Sequence, residues 1–518
     1  MEDKLKNYFT SSAVNSEDII QNQIEKIIKG SKFIDLLRPA TIGDGIIRID
    51  ESQEKILLDL FNSAQLSGRL KKFVPASGAA TRMFSKLISA IDKFRNQDIK
   101  TIKQKANSDN DAAYILTLIE NLNRFAFYDD LISIVSNSNL KFEKLKESNP
   151  THLLNFIVDS EELGYSDKPK GLVKFHKYLN ENRTAFIEHL IESAQYQPDF
   201  NNSISIHFTI SESHLTLFEQ EKFFINQYDQ LKQFSFDISF SYQDKNTDSI
   251  TLKENNEVYL DEFGKPLFRP AGHGALLKNL NQINGDIIFI KNIDNVCVDR
   301  LLPVTVKYKK LLAGLLILFQ KKIYEYLRAL ENKEDDYSLR NEIIKFLSKF
   351  LNISQPDGFF NLSEHEQRNY LFNKLNRPIR VCGVVKNEGE PGGAPFWIKN
   401  SKGELSLQII EQAQIDLSND EQKLIFNNST HFNPVDIVAG VRDYKGKNFN
   451  LIKFQDEDSY MIVHKKIGTT GIKSLELPGL WNGGMADWIS VFVEVPKETF
   501  NPVKEITDLL KQGHTQLF

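Results

Sequence analysis

The chain has only two cysteines, Cys297 and Cys382, in 518 residues. Two thiols cannot build a disulfide framework, so a reducing compartment, the cytoplasm, is the expected location. Basic residues are not in excess: 64 Lys and Arg stand against 69 Asp and Glu, for a net charge of −5. That balance leaves no nucleic-acid footprint, and no nucleic-acid partner is expected. Long apolar runs are missing too. Leu311 to Phe319 is short and runs into Gln320-Lys321-Lys322, which reads as a buried helix and not a membrane span. The first ten residues, from Met1 to Thr10, contain no apolar h-region, so no signal peptide is expected. Repeats and low-complexity linkers are absent as well. What is present is 41% hydrophobic residues, the content of an ordinary globular protein with chain enough for two or three structural units.

Residues 1–70 read as helices with polar faces, such as Ser16 to Lys29 and Ser52 to Ala64. Lys71 to Pro75 is a short strand, and a helix starts near Met83. Residues 84–160 read as charged helices with a loop signal at 107–111. Residues 185–197 form an amphipathic helix. Ser203 to Ile210 alternates as a strand, and Phe236 to Ser241 is a second one. Helices are expected over 303–330 and 338–351, then strands at Ile379 to Lys386, Leu405 to Ala413 and Lys423 to Phe426. Strand–helix alternation over 71–330 argues for an α/β fold with a doubly wound, mostly parallel sheet. Three regions follow: a helical N-terminal region at 1–70, an α/β core at 71–378 with a helical insertion at 84–160, and a mixed β extension at 379–518.

Two places carry chemistry. Residues 266–295 combine a glycine loop, Pro270-Ala271-Gly272-His273-Gly274, with an apolar strand ending in Asn292, Asp294 and Asn295. Glycines let a backbone approach a ligand, and an acid at a strand's carboxyl end is where an α/β sheet places a nucleotide and metal site. Mg²⁺ takes only one or two carboxylates plus substrate phosphates, so Asp294 alone suffices as a metal ligand. Flanked by glycines, His273 is expected on a ligand-facing loop. The second place is the strand–loop–helix around Ala76, Ser77, Gly78, Ala79, Ala80 and Thr81, followed by Arg82. Small residues before a helix let backbone N–H groups meet phosphate oxygens, and Arg82 adds a bidentate clamp. The loop keeps a single glycine. An alanine where φ must be positive costs about 1 kcal/mol, and its Cβ would crowd a phosphate.

In this order the segments resemble those of UDP-sugar pyrophosphorylases, the UDP-glucose and UDP-N-acetylhexosamine types. Those families carry a Gly-Gly-x-Gly-Thr-Arg loop, a Pro-x-Gly-His-Gly loop and a strand ending Asn-x-Asp-Asn. The resemblance places Lys170, in Lys168-Pro169-Lys170, on a lysine that contacts phosphate. It places Gln243 near the nucleotide, where a side-chain amide can read a base edge. Gly392-Gly393, residues 407–415 and residues 425–432 resemble segments that line the sugar pocket, which implies Glu411, Thr430, His431 and Asn433 as sugar-binding candidates. Phe500 to Leu510 resembles a segment whose lysine, here Lys504, reaches the phosphates. Pro75 to Phe84 and Leu477 to Trp488 also resemble an uncharacterised bacterial family, domain of unknown function 4301.

The resemblance implies a Rossmann-like, GT-A-like nucleotidyltransferase sheet. It implies Mg²⁺ as cofactor, held by Asp294, and a nucleoside triphosphate (UTP favoured) and a sugar 1-phosphate as substrates. Arg82, Lys170, Lys504 and Asp294 would be catalytic. Residues 76–81, Gln243, Gly272, His273 and Asn292 would bind nucleotide. Two alternatives stay open: a nucleotide- or sugar-phosphate-binding protein without turnover, and a glycosyltransferase-like enzyme using a ready-made sugar nucleotide. The base, the sugar and the oligomeric state stay open with them.

Overall fold

The computed structural model describes residues 17–389, 392–400 and 403–516. Its frame is a nine-stranded sheet. In spatial order the strands are Thr41–Ile42, Gly45–Ile47, Ile489–Glu494, Ile379–Lys386, His431–Gly440, Ile287–Ile290, Leu70–Pro75, Ser203–Ile210 and Ser235–Tyr242. Every neighbouring pair is parallel except those made by His431–Gly440, which runs antiparallel to both its neighbours. The α/β class and the mostly parallel sheet are therefore as expected. The central strands are apolar along their length: Ile287–Ile290 is wholly buried, and Ile379–Lys386 is buried up to its last residue. Such continuous runs belong to a sheet covered on both faces.

The expected boundary at 378/379 does not divide the sheet. Strands from residues 41–47, 379–386, 431–440 and 489–494 are hydrogen-bonded into one framework with those of residues 70–290. The physical reason is the single antiparallel strand, which inserts between Ile287–Ile290 and Ile379–Lys386 and joins the two halves. The N-terminal region differs from the expectation of helices alone. Besides the helices Glu17–Lys29 and Glu51–Leu66 it supplies Leu36–Pro39, Thr41–Ile42 and Gly45–Ile47. A smaller four-stranded sheet joins Phe268–Arg269 and Ser249–Lys253 to Thr470–Glu476 and Met461–Ile467. A three-stranded one joins Leu36–Pro39, Ala394–Lys399 and Leu405–Ile410.

The insertion is helical, from Thr81–Lys93 to Pro150–Val158, and its apolar faces enter the main core through Phe84, Leu87, Ile115, Leu131 and Leu153. The polar run at 107–111 is a helix start: the Asp109 carboxylate accepts from the N–H groups of Asp111 and Ala112. Lys423 to Phe426, expected as a strand, lies in the helix Asp420–Asn427. Asn419 caps that helix and Asp420 and Glu421 fill its first turn, so the local start signal outweighs a short apolar run.

A buried cluster of charges sits under the middle of the sheet. Glu192 accepts from Lys72 at 2.8 Å and from Lys291 at 2.5 Å, and Lys309 bonds Asp436 and lies 3.4 Å from Glu192. All five side chains are buried. Three ammonium groups share two carboxylates there. Burial pushes Lys72 down to about 7, which moves the cluster toward neutrality.

Candidate active site

Four adjacent parallel strands, ending at Pro75, Ile210, Tyr242 and Ile290, open their carboxyl ends onto one cleft of about 1160 Å³. Of the residues expected to bind nucleotide or act on it, Ser77, Gly78, Ala79, Thr81, Arg82, Lys170, Gln243, Gly272, His273, Asn292 and Asp294 line this cleft. Ala76 and Ala80 do not; both are fully buried behind the loop.

The loop before the helix Thr81–Lys93 is built against the Pro169-Lys170 segment, although more than eighty residues separate them. Ala80 N–H donates to the Lys168 carbonyl at 3.0 Å, and Lys170 N–H donates to the Gly78 carbonyl at 3.2 Å. The helices of the insertion fold back to bring the two together. None of residues 76–82 has positive φ, so the alanines carry no backbone cost and the glycine-poor loop is unstrained. No side chain caps the helix, and Thr81 and Arg82 are exposed at its start. Thr81, Arg82 and Met83 line the cleft, and no acid in the first turn offsets the positive end of the helix dipole there.

Lys170 and Asp294 meet. The Lys170 ammonium donates to the Asp294 carboxylate at 2.8 Å, with side chains 17% and 22% exposed. Each residue of the Asn-x-Asp-Asn strand end has a separate task. Asn292 is exposed in the cleft, Asp294 pairs with Lys170, and Asn295 is buried. The Asn295 amide accepts from Asn501 N–H at 2.8 Å and donates to the Val435 carbonyl at 3.1 Å. Asp294's own carbonyl accepts from Val503 N–H at 3.2 Å. The chain-end segment thus crosses beside Asp294. Lys504 follows on that segment, exposed and outside the cleft lining, with its N–H bonded to the Asp508 carboxylate at 2.7 Å.

The two glycines of the loop have different surroundings. Gly272 has φ +75 and lines the cleft. A Cβ at Gly274, however, would sit 2.2 Å from the Pro478 carbonyl oxygen, so this glycine makes room for the 477–484 segment. His273 stacks on Trp481 with ring centroids 4.4 Å apart, and its Nδ1 accepts from Leu480 N–H at 3.1 Å. That acceptor role leaves Nε2 as the protonated nitrogen of a neutral ring. Burial against this segment pushes its pKa down to about 4, so it is a neutral donor at physiological pH.

Gln243 reaches the Thr247 hydroxyl at 3.4 Å and the Asp248 carboxylate at 3.3 Å through its amide nitrogen. Burial raises the Asp248 carboxyl above its ordinary range. Sequence reasoning missed several lining residues: Glu212, Asp244, Lys245, Asp248, Glu476 and Trp481. Only Trp481 had a signal, in the Leu-Pro-Gly-Leu-Trp tail.

Glu411, Thr430 and His431 are not brought to this cleft's wall. Glu411 accepts the Gln414 N–H as the cap of a short helix at Gln412–Gln414. The Thr430 hydroxyl bonds His431 Nδ1 at 2.8 Å. His431 is buried, with Nε2 4.0 Å from Glu494, and burial lowers its pKa. Asn433 lies in the strand His431–Gly440. These assignments arose from resemblance alone. The local reason for the difference is that Glu411 and Thr430 are engaged by their own chain neighbours.

Residues 3–515 match the family described as a domain of unknown function, DUF4301. No curated protein matches the chain. Among solved structures, the chain is similar to the uridine diphosphate N-acetylglucosamine pyrophosphorylase of Trypanosoma brucei in complex with an inhibitor. Identity is 12% and the TM-score 0.47, over 95% of this chain and 74% of that one. It is also similar to a mutant UDP-glucose pyrophosphorylase of Leishmania major in complex with UDP-glucose, at 11% identity and TM-score 0.42, over 98% of this chain and 77% of that one. Among the described residues, no helix is long and apolar enough to cross a membrane.

Proposed function

The chain belongs to the DUF4301 family, and we propose that it is a nucleotidyltransferase of the sugar-nucleotide pyrophosphorylase type, on a doubly wound, Rossmann-like and GT-A-like sheet. An oxygen of a sugar 1-phosphate would attack the α-phosphorus of a nucleoside triphosphate, with UTP favoured. One P–O bond forms, the bond to the β-phosphate bridge breaks, and pyrophosphate leaves. The observation that carries this reading is the 2.8 Å contact between Lys170 and Asp294, held on the residue 76–82 loop at the carboxyl ends of parallel strands. An anion-receptive helix start, an exposed arginine, a lysine and an acid then converge where α/β sheets bind nucleotides.

Phosphoryl-type transfer needs positioning and charge neutralisation more than covalent chemistry. The uncapped start of Thr81–Lys93 and Arg82 would hold the triphosphate. Lys170 would neutralise charge on the phosphates, and Lys504 would add a second cation from the segment tied to Asp294. Neutral His273 would donate from Nε2 to the sugar phosphate, and Gln243 would read the base. Mg²⁺ fits as cofactor in one form only. Among the described residues no three His, Cys, Asp or Glu side chains cluster to hold a metal, so the ion would share Asp294 with substrate phosphates. When bound, it would neutralise the charge that develops as pyrophosphate leaves.

A second reading, a nucleotide-binding protein without turnover, is favoured by the hydrogen bonds that tie Glu411 and Thr430 to their own chain neighbours. One experiment separates them: incubation with UTP, Mg²⁺ and a panel of sugar 1-phosphates, with pyrophosphate detection. Pyrophosphate release that depends on a sugar 1-phosphate is the expected result. Nucleotide binding without release supports the second reading. Transfer or hydrolysis from a UDP-sugar would instead indicate a glycosyltransferase-like enzyme.

A further inference from the structure

We propose that the Lys170–Asp294 ion pair is a clasp that makes polyphosphate binding and divalent-cation binding conditional on each other. The inference rests on the nucleotide site proposed above and adds a regulatory property to it.

Three observations carry it. The clasp closes over the two groups a metal–nucleotide complex needs, one cation and one carboxylate, at 2.8 Å. Both main chains are fixed: Lys170 N–H is bonded to Gly78 and the Asp294 carbonyl to Val503. Opening is therefore a side-chain rotation and not a loop movement. Finally, Asp294 has no cluster of further acids to help it outcompete the ammonium, since no group of three metal-ligating side chains exists among the described residues.

The consequences are chemical. A cation arriving alone meets a carboxylate already paired with Lys170. A polyphosphate arriving alone meets a lysine already held, beside a carboxylate that repels it. When both arrive, the phosphate takes Lys170 and the cation takes Asp294, and no charge is stranded. Such coupling is reciprocal by linkage: each ligand strengthens the other by the same factor. Two other acids of the cleft are paired more openly. Glu212 and Asp244 pair with Lys245 and Lys278, at 3.3 and 3.2 Å, with all four side chains more exposed than Lys170 and Asp294.

The test is a double-mutant cycle on binding, without turnover. A non-hydrolysable UTP analogue is titrated calorimetrically in EDTA into the wild type, Asp294→Asn, Lys170→Met and the double variant, each checked for a native melting transition. Removing Asp294 frees Lys170, so D294N should bind the metal-free analogue about fivefold tighter than the wild type, which is about 1 kcal/mol. In the K170M background the same change should gain distinctly less, because only repulsion is relieved. Lys170→Gln replaces K170M if the latter does not fold. Equal gains in both backgrounds, or no gain in either, overturn the clasp while leaving the nucleotide site intact. Failure of the wild type to bind the analogue with or without Mg²⁺ overturns the nucleotide site itself, and the clasp with it.

Discussion

Two lysine–carboxylate systems lie three residues apart on one strand end and behave in opposite ways. Lys291 belongs to the buried cluster with Glu192, Lys72, Lys309 and Asp436, where every side chain is nearly free of solvent. Asp294 belongs to the cleft, where it and Lys170 keep part of their surface open. In the first, no ligand can replace a partner, so each charge depends on its neighbours for solvation. In the second, a phosphate or a cation can take over either half. Burial, not the identity of the pair, separates a structural ion pair from one available for chemistry.

The comparison breaks most visibly at Glu192. Glu192→Gln leaves three buried ammonium groups with one carboxylate and should cost about 3–5 kcal/mol of stability, read by denaturant unfolding. A loss under about 1 kcal/mol would mean that the cluster is wetter than its burial implies. Asp294→Asn should do the reverse. Its pair is partly exposed, so stability should move by less than about 1 kcal/mol. Pyrophosphate release should fall by roughly a hundredfold, about 3 kcal/mol of barrier. Retained turnover would remove Asp294 from the mechanism.

Much of this contrast could be read from the sequence, and part could not. Ser203–Ile210 and Ile379–Lys386 have the ends expected for them, because β-branched and apolar runs there stop at polar residues. Asp294 is legible because it closes an apolar strand in an Asn-x-Asp-Asn run, where an α/β sheet places a metal or nucleotide site. The buried cluster gave no signal. Lys72, Glu192 and Lys309 come from three distant elements, and each looks like any solvated charge until the sheet assembles. The same holds for Glu212, Asp244 and Asp248 in the cleft. Met461–Ile467 was missed because it is half-exposed and rich in lysine, and Ile489–Glu494 because a short apolar run does not distinguish strand from buried helix.

Smaller effects sharpen the cleft side of the comparison. Arg82→Ala should weaken nucleotide binding by about 1.5–3 kcal/mol in calorimetry, the worth of a charge-assisted clamp, with little change in melting temperature. Unchanged affinity would place the phosphates elsewhere. His273 gives the mildest signature. Its pKa is about 4 in the fold against an ordinary 6.5. Between those values the unfolded chain binds a proton that the folded chain refuses. Stability contributed by the neutral ring is therefore lost as pH falls from about 6.5 to about 4, and the loss levels off below. His273→Gln should shallow that acid limb in melts run from pH 7 to pH 4. An unaltered limb would mean that the ring protonates in place.

On the proposed reading, nucleotide and cation bind together in the carboxyl-end cleft, with Lys170 and Asp294 at its centre. A crystal structure with a non-hydrolysable UTP analogue and Mn²⁺, located by anomalous scattering, tests it directly. The expected map has the Mn²⁺ peak bonded to the Asp294 carboxylate, Lys170 turned from Asp294 to a phosphate, and the triphosphate at the start of Thr81–Lys93. A nucleotide bound away from residues 76–82, or a metal peak remote from an intact Lys170–Asp294 pair, would contradict it.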